Sequence, residues 1–184
     1  MGFKPEAVTS LKEDNQLEGQ LDYCTNEFLA PSCDDPREKL ALSLIERISE
    51  DGTILAYNMS FEKCVIKSLA GQLPHLHDRL MKIHDNIQDL MLPFKIKACY
   101  LPQMKGSYYI KAVLPALVPE MQEAYKKLES VQNGSDAMQV FARLCEIEDE
   151  KERIKLRNAL LEYCKLDTLA MVEVLRKLRK SVCE

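Results

Sequence analysis

The chain has no apolar run long enough to span a bilayer, no low-complexity tract and no internal repeat. A membrane-spanning helix and a solenoid are thereby excluded. Its first residues, MGFKPEAVTSLKEDNQLEG, contain no apolar h-region and no cleavage pattern, so nothing there directs secretion and a cytoplasmic location is expected. The seven cysteines, at 24, 33, 64, 99, 145, 164 and 183, are odd in number and form no C-x-x-C pair. That argues against a disulfide framework and leaves them mostly as free thiols. Among the three histidines, His75 and His77 flank Leu76 beside Pro74, but no cysteine pair completes a zinc pattern. A basic excess is missing as well. The formal net charge of −4 weighs against a module that holds DNA mainly by phosphate contacts. An enzyme acting on nucleic acid is still allowed, because carboxylates that ligate metal make a sequence acidic.

What is present is an ordinary globular composition, 46% apolar and 29% charged over 184 residues, enough for one domain with a substantial core. Phe3 to Lys12 and Gln20 to Leu29 alternate partly and read as two strands joined by a polar turn around EDNQLEG. SCDDPREKLALSLIERISEDG reads as a helix, with Asp35 as N-cap, Pro36 at the first position and Gly52 as the stop. TILAY follows as a buried strand, NMS as a turn, FEKCVIKSLAGQ and PHLHDRLMKIHD as helices, and NIQDLMLPF as a short strand ending at Pro93. A loop-rich stretch then becomes helical from about Ser107, with breaks expected at Pro115 and Pro119. Three further helices are expected, over about Glu120 to Val131, Asp136 to Ile147 and Asp149 to Val182. The progression β-α-β-α with a helical second half gives an α/β fold class, expected as one mixed sheet of about four strands flanked by helices.

Two polar pairs stand out. In ALLEYCKLDTLAMVEVL, Tyr163 and Asp167 are four residues apart, so a helical turn stacks them on one face where both reach a common point. In ILAYNMSFEKCVI, Asn58 and Glu62 have the same spacing just past the C-terminal end of a strand, where open α/β sheets present functional groups. Each has a bland alternative: a tyrosine packed on the core beside a solvated aspartate, and a helix start with Asn58 as N-cap and Glu62 as a first-turn anion.

Taken together, YNMSFEK and EYCKLDTLA resemble two of the three motifs of the DEDD-type (DnaQ-like) 3′-5′ exonucleases, a superfamily with a ribonuclease H-like fold. The resemblance is closest to a prokaryotic domain-of-unknown-function family in that superfamily. It rests on DGTILAYNMSFEK, DLMLPF, MKGSYYIKAVLPALVP and LLEYCKLDTLAMV, in that order. It implies a metal-dependent nuclease acting on DNA or RNA, with Glu62 and Asp167 as metal ligands. Tyr163 would stand where a tyrosine replaces the water-orienting histidine. Asn58, Ser107 and Lys111 would be substrate-side groups, and Asp89 matches a weaker feature nearby. Such a site would use two ions of magnesium or manganese, hard cations that take oxygen ligands, to activate water and neutralise charge on the phosphate. Tyrosine, with a pKa near ~10, would position the nucleophile by hydrogen bonding and not by taking its proton.

The superfamily's first motif, Asp-x-Glu on the first strand, has no clear counterpart. Asp22 to Thr25, DYCT, resembles a damaged copy with cysteine for glutamate, but only 36 residues separate Asp22 from Asn58. That leaves too little chain for a helix and two further strands of about 5 to 6 residues each. The chain is therefore expected to begin near the family's second strand, either as an N-terminally truncated piece or as a degenerate domain. In both cases it should have little or no nuclease activity alone. A sheet opened in this way would expose a strand edge and favour self-association. The alternative function is a non-catalytic ribonuclease H-like interaction module.

Overall fold

The computed structural model describes residues 7–11, 23–31, 34–128 and 130–183. The turn around EDNQLEG and Asp22 lie outside them. The chain divides into two compact units, one of residues 1–48 and 128–168, the other of 49–127 and 169–184.

In the first unit, β1 (Ala7–Leu11) pairs antiparallel with β2 (Tyr23–Glu27), with Ala7 opposite Glu27 and Leu11 opposite Tyr23. The sequence pattern anticipates both strands. Helix α1 (Arg37–Arg47) begins one residue later than expected: Pro36 holds the N-cap position. Asp35 still serves the helix start, because its Oδ1 accepts the Arg37 N–H at 3.1 Å. The Arg37 guanidinium also bonds that carboxylate and holds its pKa down at about 2. The inward face of α1 is Leu40, Ala41 and Leu44, at helical spacing. At its far end Arg47 donates to the Glu27 carbonyl at 3.1 Å, tying helix to strand.

Helix α7 (Gly134–Arg143) starts at Asn133, whose side chain caps it. Its Oδ1 accepts the N–H groups of Ser135 and Asp136 at 2.9 and 3.0 Å, while its Nδ2 donates to Asp136 Oδ2 at 2.8 Å. Two of the backbone donors left over at any helix start are thereby satisfied. The long helix α8 (Glu150–Cys183) gives its first part to this unit. Its Arg157 donates to the carbonyls of Leu29 and Ala30 at 3.0 and 2.8 Å, satisfying two acceptors in the segment that leaves β2.

The second unit contains β3 (Ile54–Ala56), α2 (Ser60–Gln72), α3 (His77–Asp85), β4 (Ile87–Asp89), α4 (Leu92–Lys95), α5 (Ile110–Leu117) and α6 (Glu120–Lys126). β3 and β4 run parallel, Ile54 beside Ile87 and Ala56 beside Asp89. The connection between them is the helical pair α2 and α3, which pack on each other. Its core includes Ala56, Leu69, Leu80, Ile87, Phe94 and Val113, all under a tenth exposed.

Two prolines act differently from the sequence expectation. Pro93 does not end a strand; β4 stops at Asp89, and Pro93 sits in the first turn of α4, where a missing N–H costs nothing. Pro115 lies inside α5 and does not break it. In so short a helix proline removes a single bond, and the Val118 N–H still reaches the Leu114 carbonyl at 2.7 Å. The fold is thus mixed α/β and mostly helical. Among the described residues the four strands form two separate two-stranded sheets, not one mixed sheet. Among the described residues no helix is long and apolar enough to cross a membrane.

Candidate functional site

In the second unit the candidates gather at the C-terminal ends of β3 and β4. The backbone leaves β3 through Asn58, in the left-handed region at φ 66°, a conformation asparagine tolerates better than most side chains. The Asn58 N–H donates to Asp89 Oδ1 at 3.0 Å. The same oxygen accepts the Met91 N–H at 2.9 Å, and the Leu90 N–H reaches back to the Ala56 carbonyl at 2.8 Å. Asp89 therefore joins the exits of the two three-residue strands.

Asn58 is not the N-cap of α2. That position is Met59, with no side-chain cap, although the Asn58 carbonyl accepts the Phe61 N–H at 3.3 Å. Glu62 lies in the first turn of α2, half-buried, with its Oε2 shielded from solvent, where the helix N-terminus favours an anion.

Tyr57 brings in the third segment. Its hydroxyl donates to the Tyr108 carbonyl at 2.7 Å and its ring stacks on Phe94 with centroids 6.4 Å apart. Burial, and then the charge of Asp89, hold that hydroxyl protonated well above the ordinary tyrosine range. Ser107 turns the chain into α5, its Oγ accepting the Tyr109 N–H at 3.4 Å, and Lys111 stands exposed in the first turn. The segments 57–62, 89–91 and 107–111 thus meet at one edge of a parallel strand pair, where α/β folds place ligands.

In the first unit, Tyr163 and Asp167 make the contact their spacing requires. Tyr163 is only 6% exposed, and its hydroxyl donates to Asp167 Oδ2 at 3.2 Å. Burial raises its pKa first, then the charge and hydrogen bond of Asp167, followed by Cys164 and Asp136. The hydroxyl is a donor at neutral pH and not a base. One turn on, Thr168 returns its hydroxyl to the Cys164 carbonyl at 2.9 Å, as buried threonines in helices do.

Sequence reasoning missed Tyr57, Asp136 and the joining role of Asp89. Asp136 read only as a helix start, yet its charge reaches Tyr163 from α7. Glu62 and Asp167, the two expected metal ligands, belong to different compact units. Among the described residues no three His, Cys, Asp or Glu side chains are grouped so as to hold a metal ion.

A pH test follows from the two tyrosines. Their folded pKa values lie above the unfolded value of about 10. Below about pH 10 both states are protonated and the contribution to stability is whole. Above it the unfolded chain loses protons first and stability falls. Urea midpoints from about pH 9 to about pH 11 should drop, and Tyr163→Phe should make the drop shallower. An equal drop in the variant would remove Tyr163 from the account.

These observations define a mostly helical α/β protein with polar groups collected at a strand-pair exit and on one turn of a long helix. Residues 9–109 match the family model described as a domain of unknown function (DUF2779), and the chain belongs to that family. The match takes in Asn58, Glu62, Asp89 and Ser107 and ends before Lys111, Tyr163 and Asp167. No curated protein and no solved structure matches the chain.

Proposed function

We propose that the chain is an exonuclease-type nuclease domain of ribonuclease H-like fold, contributing part of a site that hydrolyses phosphodiester bonds of DNA or RNA. The observation that carries the reading is the Tyr163 hydroxyl donating to Asp167 Oδ2 from a buried position. A carboxylate fixed by a protonated phenol has one orientation, as the ligand of a catalytic metal needs. The meeting of segments 57–62, 89–91 and 107–111 at a parallel strand exit adds support, since that is where a phosphate-bearing ligand docks in α/β folds.

The donor chemistry of Glu62 and Asp167 suits magnesium or manganese, but the described residues do not assemble a complete set of ligands. A resident metal therefore does not fit them as they stand, and hydrolysis needs at least one more oxygen donor. In this reading the chain's own residues have limited tasks: Tyr163 orients Asp167, Asp89 holds the turn that carries Asn58, and Lys111 offers a positive charge to phosphate. Little or no nuclease activity is expected of these residues alone.

The same shortage of ligands favours a second reading, a non-catalytic interaction module of this fold. Manganese titration by calorimetry, wild type against Asp167→Asn, tests the first. Binding that disappears in the variant supports the nuclease reading. Silence in both removes Asp167 as a metal ligand of the described residues and leaves either an incomplete nuclease domain or the interaction module.

A further inference from the structure

From Leu90 to Pro119 the chain contains no aspartate or glutamate, yet it carries four lysines, Lys95, Lys97, Lys105 and Lys111. In a protein whose net charge is −4, this is a local reversal of sign. All four lysines are exposed, and among the described residues none of them forms an ion pair. Tyr109 and Tyr100 are interleaved with them, 60% and 48% exposed.

The segment is folded back on itself. The Cys99 N–H bonds the Pro93 carbonyl at 3.1 Å, which returns the chain beside α4. Tyr57 then ties both ends together, stacking on Phe94 and bonding the Tyr108 carbonyl. The Tyr109 ring rests against Tyr108, centroids 5.0 Å apart, so one face is supported while the residue stays open to solvent.

Two of the lysines occupy left-handed backbone, Lys97 at φ 61° and Lys105 at φ 50°. Glycine fits that region without strain, whereas a side chain there is disfavoured. Lysine at both positions sets a cationic head where the fold itself would favour none.

We infer that residues 92–111 form a docking face for single-stranded nucleic acid, the lysines meeting phosphates and Tyr100 and Tyr109 stacking on unpaired bases. A polyanion answers the charge. Exposed rings specify a strand whose bases are free, because a duplex hides their faces. The face shares its ligand class with the hydrolytic reading but needs neither Asp167 nor a metal.

The test is fluorescence anisotropy of the full chain in EDTA with labelled oligonucleotides of about 12 nucleotides. DNA and RNA are used, each as single strand and as duplex. Single strands of at least one sugar type should bind more tightly than their duplexes, and Tyr109→Ala should weaken them by about fivefold or more. Four phosphate contacts give a slope of log K against log salt of up to about −2.8, and Lys97→Gly with Lys105→Gly should flatten it by about 1.4. Because glycine relieves both backbone positions, the melting temperature of that double variant should hold or rise, which separates lost charge from lost fold. Equal affinity for duplex and single strand, or an unchanged slope in the double variant, overturns the inference. So does a dimer that Tyr109→Ala turns into a monomer with no oligonucleotide bound, since the face would then serve a second copy. Failure here with manganese still bound through Asp167 removes the docking face and leaves the nuclease reading in place; the reverse result keeps the face and removes Asp167 as a metal ligand.

Discussion

Asp89→Ala should destabilise the protein by about 1–3 kcal/mol, because it strips the acceptor from two backbone N–H groups at once, one of them part-buried. Those of Asn58 and Met91 both end on Asp89 Oδ1, at 3.0 and 2.9 Å. The Asn58 N–H is exposed and can turn to water, but the Met91 N–H is part-buried, and a shielded donor without an acceptor costs about 1–3 kcal/mol. Asp89→Asn keeps an oxygen in place and should lose much less. It also removes the charge that helps raise the Tyr57 pKa, so alkaline titration of that tyrosine should move down while burial keeps it above the ordinary range. Urea denaturation of the three proteins decides the matter. Equal stability of the alanine and asparagine variants would show that the shared acceptor does not hold the strand exits together.

Leu80→Ala is expected to cost about 2–5 kcal/mol. Leu80 has no solvent exposure and belongs to α3, which packs on α2 within the connection from β3 to β4. Close packing leaves no room for neighbours to collapse fully into the volume of the lost methyl groups, so the transfer and cavity penalties add. Leu80→Met, which preserves volume, should stay under about 1.5 kcal/mol. A midpoint for the alanine variant within error of wild type would mean that the site collapses freely, contrary to its burial.

Short-range physics was legible in the sequence, and long-range bonding was not. The turn joining Tyr163 to Asp167 follows from helical spacing, and both the residues and the contact are as that spacing requires. The boundaries of α2, α7 and α8 lie within a few residues of expectation because apolar periodicity marks them, while the Asn133 cap starts α7 two residues before the expected Asp136. Proline was read too strictly: Pro93 opens a helix, where the absent N–H costs nothing, and Pro115 sits within a short one at the loss of a single bond. Asp89 stood out only as a weaker feature of the resemblance because its partner Asn58 is 31 residues away, and no local pattern announces a side chain that bonds a distant turn. Strand existence was readable from alternation. Strand pairing was not, because it depends on which chain ends meet, and the four strands pair off two by two.

The cap of α7 also bears on how the protein ages. Asn133 is followed by Gly134, the neighbour that least obstructs attack of its own nitrogen on an asparagine side chain and hence deamidation. In the fold, both the oxygen and the nitrogen of that side chain are bonded, to Ser135, Asp136 and the Asp136 carboxylate. The amide is pinned where cyclisation must first break those bonds. The helix start therefore works as a chemical preservative, and the dipeptide becomes a clock that runs chiefly while this end of α7 is unfolded.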